Sequence, residues 1–156
     1  MIKTGCYSQG LATKKAFLQK IKNPLWNDDL EGQAWCYDDA QVFSQGSCHL
    51  FAYALNEFFG YEIMEIKQGV SCHYFCQANG EDGKVFIDVK GATTDWEQFI
   101  KATDFISDPN CARIKHYRAE LIEELKEDGA EFGYAFAKHI IRTHPCLYDL
   151  SYLTIG

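Results

Sequence analysis

Proline is scarce in this chain, basic residues are outnumbered, and long apolar runs are missing. Pro24, Pro109 and Pro145 are the only prolines, and each stands where a regular element would end in any case. No stretch approaches the roughly 18 apolar residues that a membrane-spanning helix needs, so no membrane partner is expected. Met1 to Gly10 is polar and lacks the apolar core of a secretory leader. The expected location is the cytoplasm where the chain is made, and any export would use a route without a cleaved signal peptide. Lys and Arg number 15 against 22 Asp and Glu, a formal charge of -7. Such a surface repels phosphate backbones, and no nucleic acid is expected as a partner. Internal repeats, low-complexity tracts and linkers are likewise missing.

What remains is a chain of 156 residues, 47% apolar, with 11 Phe and 9 Tyr. That is the size of one domain, 1–156, able to close a dense core without metal or disulfide support. Its cysteines, Cys6, Cys36, Cys48, Cys72, Cys76, Cys111 and Cys146, are odd in number and irregular in spacing. In a cytosolic chain they read as reduced thiols, mostly small buried hydrophobes, with room for one nucleophile.

Apolar spacing predicts a helix over Ala12–Lys22, closed by Asn23-Pro24, and then a long irregular region from Leu25 to Gly46. Leu50, Phe51, Ala54, Leu55, Phe58 and Phe59 form the broad stripe of a buried helix over Cys48–Phe59. Ser47 is placed to cap that helix and Gly60 to stop it. Strand-like runs follow at Tyr61–Lys67, Ser71–Ala78 and Lys84–Val89. The turn cluster Asn79-Gly80-Glu81-Asp82-Gly83 joins the last two as a hairpin. Further helices are predicted over Thr94–Ala102, Cys111–Glu127 and Ala130–Thr143. Runs of one element type, without strict alternation, indicate an α+β fold.

Three residues stand out for chemistry. Cys48 opens the buried helix, where the positive end of the helix dipole favours a thiolate over a thiol of ordinary pKa about 8.5. The unpaired N–H groups of the same turn could donate to a developing oxyanion. His73 lies in a strand, and a cysteine nucleophile needs such a base, itself oriented by a third group. Asp88 lies in the apolar run Phe86-Ile87-Asp88-Val89, where a carboxylate is costly without a partner. If Gly80 and Gly83 flank a two-residue turn, Asn79 faces Lys84 and His73 falls opposite Lys90. Asp88 is then a diagonal neighbour of His73 on the same face, about 7–8 Å away between Cα atoms.

The segment Gly46-Ser47-Cys48-His49-Leu50-Phe51-Ala52-Tyr53-Ala54-Leu55 resembles the nucleophile helix of papain-like and transglutaminase-core proteins. His73, Asp82-Gly83, Phe86-Ile87-Asp88 and Gly91 resemble their His and Asp strands. The likeness spans Gln45 to Gly91 and is similar to small bacterial and phage papain-like proteins, some of them antibacterial effector peptidases. It implies a papain-like core, a nucleophile helix packed on a small antiparallel sheet; the C-terminal helices lie outside the likeness and are expected to shape a substrate groove. It also implies a catalytic triad of Cys48, His73 and Asp88, acting without cofactor or metal on an amide or peptide bond. The implied partners are a protein or peptide substrate and an inhibitor or immunity protein. The same triad would serve a protein glutamine deamidase or a transglutaminase-like amidase, and the fold could also carry a non-catalytic binding module. Papain-type enzymes place an oxyanion-hole glutamine shortly before the cysteine, at a spacing that neither Gln41 nor Gln45 reproduces, seven and three residues before Cys48. Gln41 is the candidate donor.

Other clusters carry less. Cys72 and Cys76, with His73 and His49, could suggest zinc, but on a strand those cysteines would sit about 13 Å apart. His49 cannot face its neighbour Cys48 across a helix and is expected near the cleft or surface. His116, His139 and His144 fall in predicted helical or terminal segments without an acidic strand partner. Asp38-Asp39 and Trp35 read as parts of a solvated turn.

Overall fold

The computed structural model describes residues 11–25, 37–44, 46–81, 83–103, 106–127 and 129–153. Cys6, Trp35, Cys36 and Gln45 lie outside them, as does most of the irregular region before Cys48. The fold is mixed α+β: helices packed on a five-stranded antiparallel sheet ordered β4-β3-β2-β1-β5. In chain order the elements are α1 (Leu11–Lys20), α2 (Cys48–Phe59), β1 (Glu62–Gln68), β2 (Ser71–Gly80), β3 (Gly83–Asp88), β4 (Gly91–Thr93) and α3 (Trp96–Lys101). After these come β5 (Arg113–His116), α4 (Leu121–Glu124), α5 (Ala130–Thr143), α6 (Pro145–Tyr148) and α7 (Leu150–Leu153). None of the described helices is long and apolar enough to cross a membrane.

Strand alternation feeds two cores, because successive side chains leave a strand on opposite faces. Ile63, Cys76, Val85 and Ile87 turn toward α2 and α5, where Leu50, Phe51, Leu55, Phe136, Ala137 and Ile140 bury almost completely. Met64, Ile66, Phe75 and Phe86 turn the other way, under Phe99 and Ile100 of α3 and Ile106. The best-patterned helix of the sequence is therefore the one that lies against the centre of the sheet. It stops as predicted at Gly60, whose φ of 73° is natural for glycine and whose N–H closes the last turn on Asn56 O at 2.8 Å.

A second glycine controls a close approach. A Cβ at Gly133 of α5 would overlap the ring of Tyr37, which is held against Phe43 and Phe132. The Tyr37 hydroxyl in turn accepts from Ser47 Oγ at 3.4 Å, directly before Cys48. Gly133→Ala is expected to cost about 1–3 kcal/mol through overpacking, read as a lower denaturant midpoint at unchanged m-value.

The prediction of a helix over Cys111–Glu127 is corrected. Arg113–His116 is an edge strand paired antiparallel to β1, with Ile63 opposite His116 and Ile66 opposite Arg113. A 3-10 turn over Arg118–Glu120 and the single turn of α4 follow. Arg113, Ile114 and Lys115 all lie open to solvent, so no buried stripe was available to hold a helix there. The unpaired side of β1 supplied ladder partners instead. Arg113 adds a cation–π contact, its guanidinium 4.5 Å from the Trp96 ring centroid.

Candidate active site

The β2–β3 hairpin has the register that its turn residues predict: Gly80 faces Gly83, Asn79 faces Lys84, and the last pair is Cys76 with Ile87. Beyond that pair the strands part. On its other edge β3 carries its ladder one residue further, Asp88 pairing with Gly91 of β4 across the turn at Val89 and Lys90, and the hydroxyl of Tyr148 ties that turn down by donating to Val89 O at 2.7 Å. In the gap so left, the Tyr74 N–H donates to Cys48 Sγ at 3.3 Å, where a strand partner would otherwise stand. The first residue of α2 is thereby brought to the edge of β2.

Ser47 holds the N-cap position, but its side chain makes no cap hydrogen bond. The hydroxyl is turned to Tyr37 instead. The opening turn of α2 thus keeps N–H groups that the helix cannot pair internally and that Ser47 does not occupy.

The His73 ring is fully buried, parallel to Phe75 at 6.4 Å between centroids and 5.8 Å from Phe99. Its Nε2 stands 3.0 Å from Asp88 Oδ2. The Cys48 thiol and the His73 imidazole are close enough that each pulls the other toward its charged form. With Nε2 committed to Asp88, the nitrogen left for the sulfur is Nδ1. Cys48, His73 and Asp88, singled out from the sequence, therefore form one connected chain.

A fourth member has no counterpart among the sequence-based candidates. Lys90 is 3% exposed, its Nζ lies 2.6 Å from the same Oδ2 of Asp88, and its own N–H donates to Oδ1 at 2.9 Å. The signal was present in the register, which already set Lys90 opposite His73. A lysine at a turn ordinarily points to water, but here the buried Asp88 carboxylate, in a turn tied to Tyr148, meets its ammonium inside.

The electrostatics follow from that geometry. Burial alone would raise the Cys48 pKa, but the hydrogen bond and charge of His73, the Tyr74 N–H and the charge of Lys90 together hold it below the ordinary thiol value. Burial pulls His73 down, yet Asp88 and the Cys48 sulfur outweigh it and raise its pKa. Burial would likewise raise Asp88, but Lys90 and His73 hold it well below the usual carboxylate range. Cys76, which donates to Ala52 O at 3.2 Å, and the partly exposed Cys72 and Cys111 are instead raised by burial.

The other candidates resolve as follows. The Gln41 amide oxygen accepts from Gln19 Nε2 at 3.0 Å, so this side chain is engaged with α1. Asp39 caps the N–H of Gln41 at 3.0 Å and lies 3.8 Å from Lys22, which makes Asp38-Asp39 part of a turn. Cys72 is exposed while Cys76 is sealed against α2, so the pair does not assemble around a metal. His49 meets Tyr74 edge-on, and its Nε2 lies 3.4 Å from Glu124. Among the described residues, His49, Glu124 and Glu127 are the group whose ligand atoms come within 4.8 Å of one another, as a metal would require. The expectation that His116 lacks an acidic strand partner is corrected: it bridges Glu65 of β1 at 2.8 Å and Glu120 at 2.6 Å, under Tyr74. That network depends on β5, which local patterning did not reveal.

No family model, no curated protein and no solved structure matches this chain.

Proposed function

We propose that this chain is a cysteine hydrolase on a papain-like core that cleaves an amide or peptide bond through an acyl-enzyme. The observation that carries the reading is a thiol at a helix start, paired with a buried imidazole whose other nitrogen is held by a buried carboxylate. Cys48 is the nucleophile, His73 the acid and base, and Asp88 the group that fixes the ring and stabilises its charged form.

In the first half-reaction the Cys48 thiolate attacks the carbonyl carbon, forming a C–S bond and a tetrahedral oxyanion. N–H groups of the opening turn of α2 are the donors available to that oxygen. The His73 imidazolium gives its Nδ1 proton to the departing nitrogen as the C–N bond breaks. In the second half-reaction neutral His73 takes a proton from water, the resulting hydroxide adds to the thioester carbonyl, and the C–S bond breaks to free the acid and the thiolate. A side-chain amide could enter the same cycle, with ammonia as the leaving group.

The test is incubation of a mixed peptide library with the wild-type protein and with Cys48→Ala, followed by mass spectrometry. Cys48-dependent backbone cleavage identifies a peptidase, and the small mass gain of a Gln or Asn side chain identifies a deamidase. Wild type that yields neither product, with Cys48 alkylated no faster than Cys72, would overturn the assignment and favour a binding module.

A further inference from the structure

We propose that Lys90 is a positioning residue of the site, a buried cation that sets Asp88 in place and fixes the charge state in which the Cys48–His73 couple rests. Lys90 takes this role only if Cys48, His73 and Asp88 act as the proposed triad.

The geometry is specific. Asp88 Oδ2 accepts from His73 Nε2 at 3.0 Å and from Lys90 Nζ at 2.6 Å, and Oδ1 accepts the Lys90 N–H at 2.9 Å. One residue thus grips both carboxylate oxygens and leaves His73 a single position on Oδ2. All the participants are buried: Cys48 from α2, His73 from β2, Asp88 from β3, and Lys90 in the turn that Tyr148 of α6 secures. A thiolate, an imidazolium and a carboxylate alone would bury a net negative charge. With the ammonium of Lys90 the four charges sum to zero, so the ion-pair form of the Cys48–His73 couple leaves no net charge in the buried cluster.

A stability role alone would be expected to leave the protonation of Cys48 and His73 unchanged in any variant that folds. A charge-setting role must move both. Loss of a nearby cation makes each group hold its proton more tightly, so thiolate formation at Cys48 and deprotonation of His73 both shift to higher pH.

The experiment compares wild type with Lys90→Met, Lys90→Gln and Lys90→Arg. The pH midpoint for iodoacetamide alkylation of Cys48 is followed by mass spectrometry, and the titration of the His73 ring by NMR. Both midpoints are expected to rise by about a unit in Lys90→Met and Lys90→Gln, a tenfold slower alkylation on the rising limb, and to return toward wild type in Lys90→Arg. Lys90→Gln keeps a donor for Oδ2 and so separates charge from hydrogen bonding. Unmoved midpoints in a folded neutral variant would overturn the proposal. So would loss of near-ultraviolet circular dichroism in both neutral variants, which would make Lys90 purely structural. If wild-type Cys48 itself shows no accelerated alkylation, it is the triad that fails, and the Lys90 variants are then compared only for stability.

Discussion

His73→Ala is expected to slow alkylation of Cys48 below the ordinary thiol pKa of about 8.5 by roughly a hundredfold or more, the scale on which a positioned acid–base group acts. The sign follows from the two shifts. Cys48 is lowered, so its thiolate form is favoured above the folded value and lost as pH falls through it. His73 is raised, so its charged form is favoured at low pH and lost as pH rises through its folded value. The two shifts run toward each other, so each group favours its charged form more than it would alone. Removing the ring leaves the sulfur with burial, which disfavours charge, against only the Tyr74 N–H and the more distant Lys90. Alkylation rate against pH, mapped by mass spectrometry, should therefore lose its low-pH rise in the variant. Equal rates in both proteins below the ordinary thiol pKa would mean that the helix start alone activates the thiol.

The second large effect is on stability. Asp88→Ala is expected to cost about 3–5 kcal/mol, because it strips the partner from a buried ammonium and from a buried imidazole at once. Chemical denaturation at neutral pH measures it. The same residue shapes the acid limb. Its pKa is depressed in the folded protein, so its contribution is complete above the ordinary carboxylate range near pH 4 and drains away as pH falls below that. Wild type should lose stability along this limb and Asp88→Ala should lose much less, so the two curves converge in acid. A cost under about 1 kcal/mol, the scale of an exposed ion pair, would show that solvent already reaches this cluster.

The parts of the fold that could be read from the residues are those governed by local rules. The stripe through Leu50, Phe51, Ala54 and Leu55 defined α2 to the residue at both ends, since Gly60 is the stop that a left-handed C-terminal residue requires. The glycines at 80 and 83 set the hairpin register as far as Cys76 and Ile87, one residue short of Asp88, whose side chain reaches His73 where the strands part. What could not be read depended on distant chain. β5 exists because β1 had an open edge, not because Arg113–His116 favours a strand by its own pattern. His116 acquired Glu65 only through that pairing. Lys90 was legible as a position but not as a buried charge, because the turn that carries it is tied down by Tyr148, 58 residues later. The capping role expected of Ser47 failed for a related reason: the hydroxyl found Tyr37, from a segment with no local signal toward it.

The contact between the Tyr74 N–H and the Cys48 sulfur has a mechanical side as well. It fastens the start of α2 to a strand whose neighbour has peeled away, so Cys48 is also a rivet in the sheet. A thiolate is a far better acceptor than a thioester sulfur, and acylation would therefore loosen the rivet at the moment the substrate is covalently held. On the proposed acyl-enzyme route, the grip of helix on sheet would therefore be set by the state of a single sulfur atom.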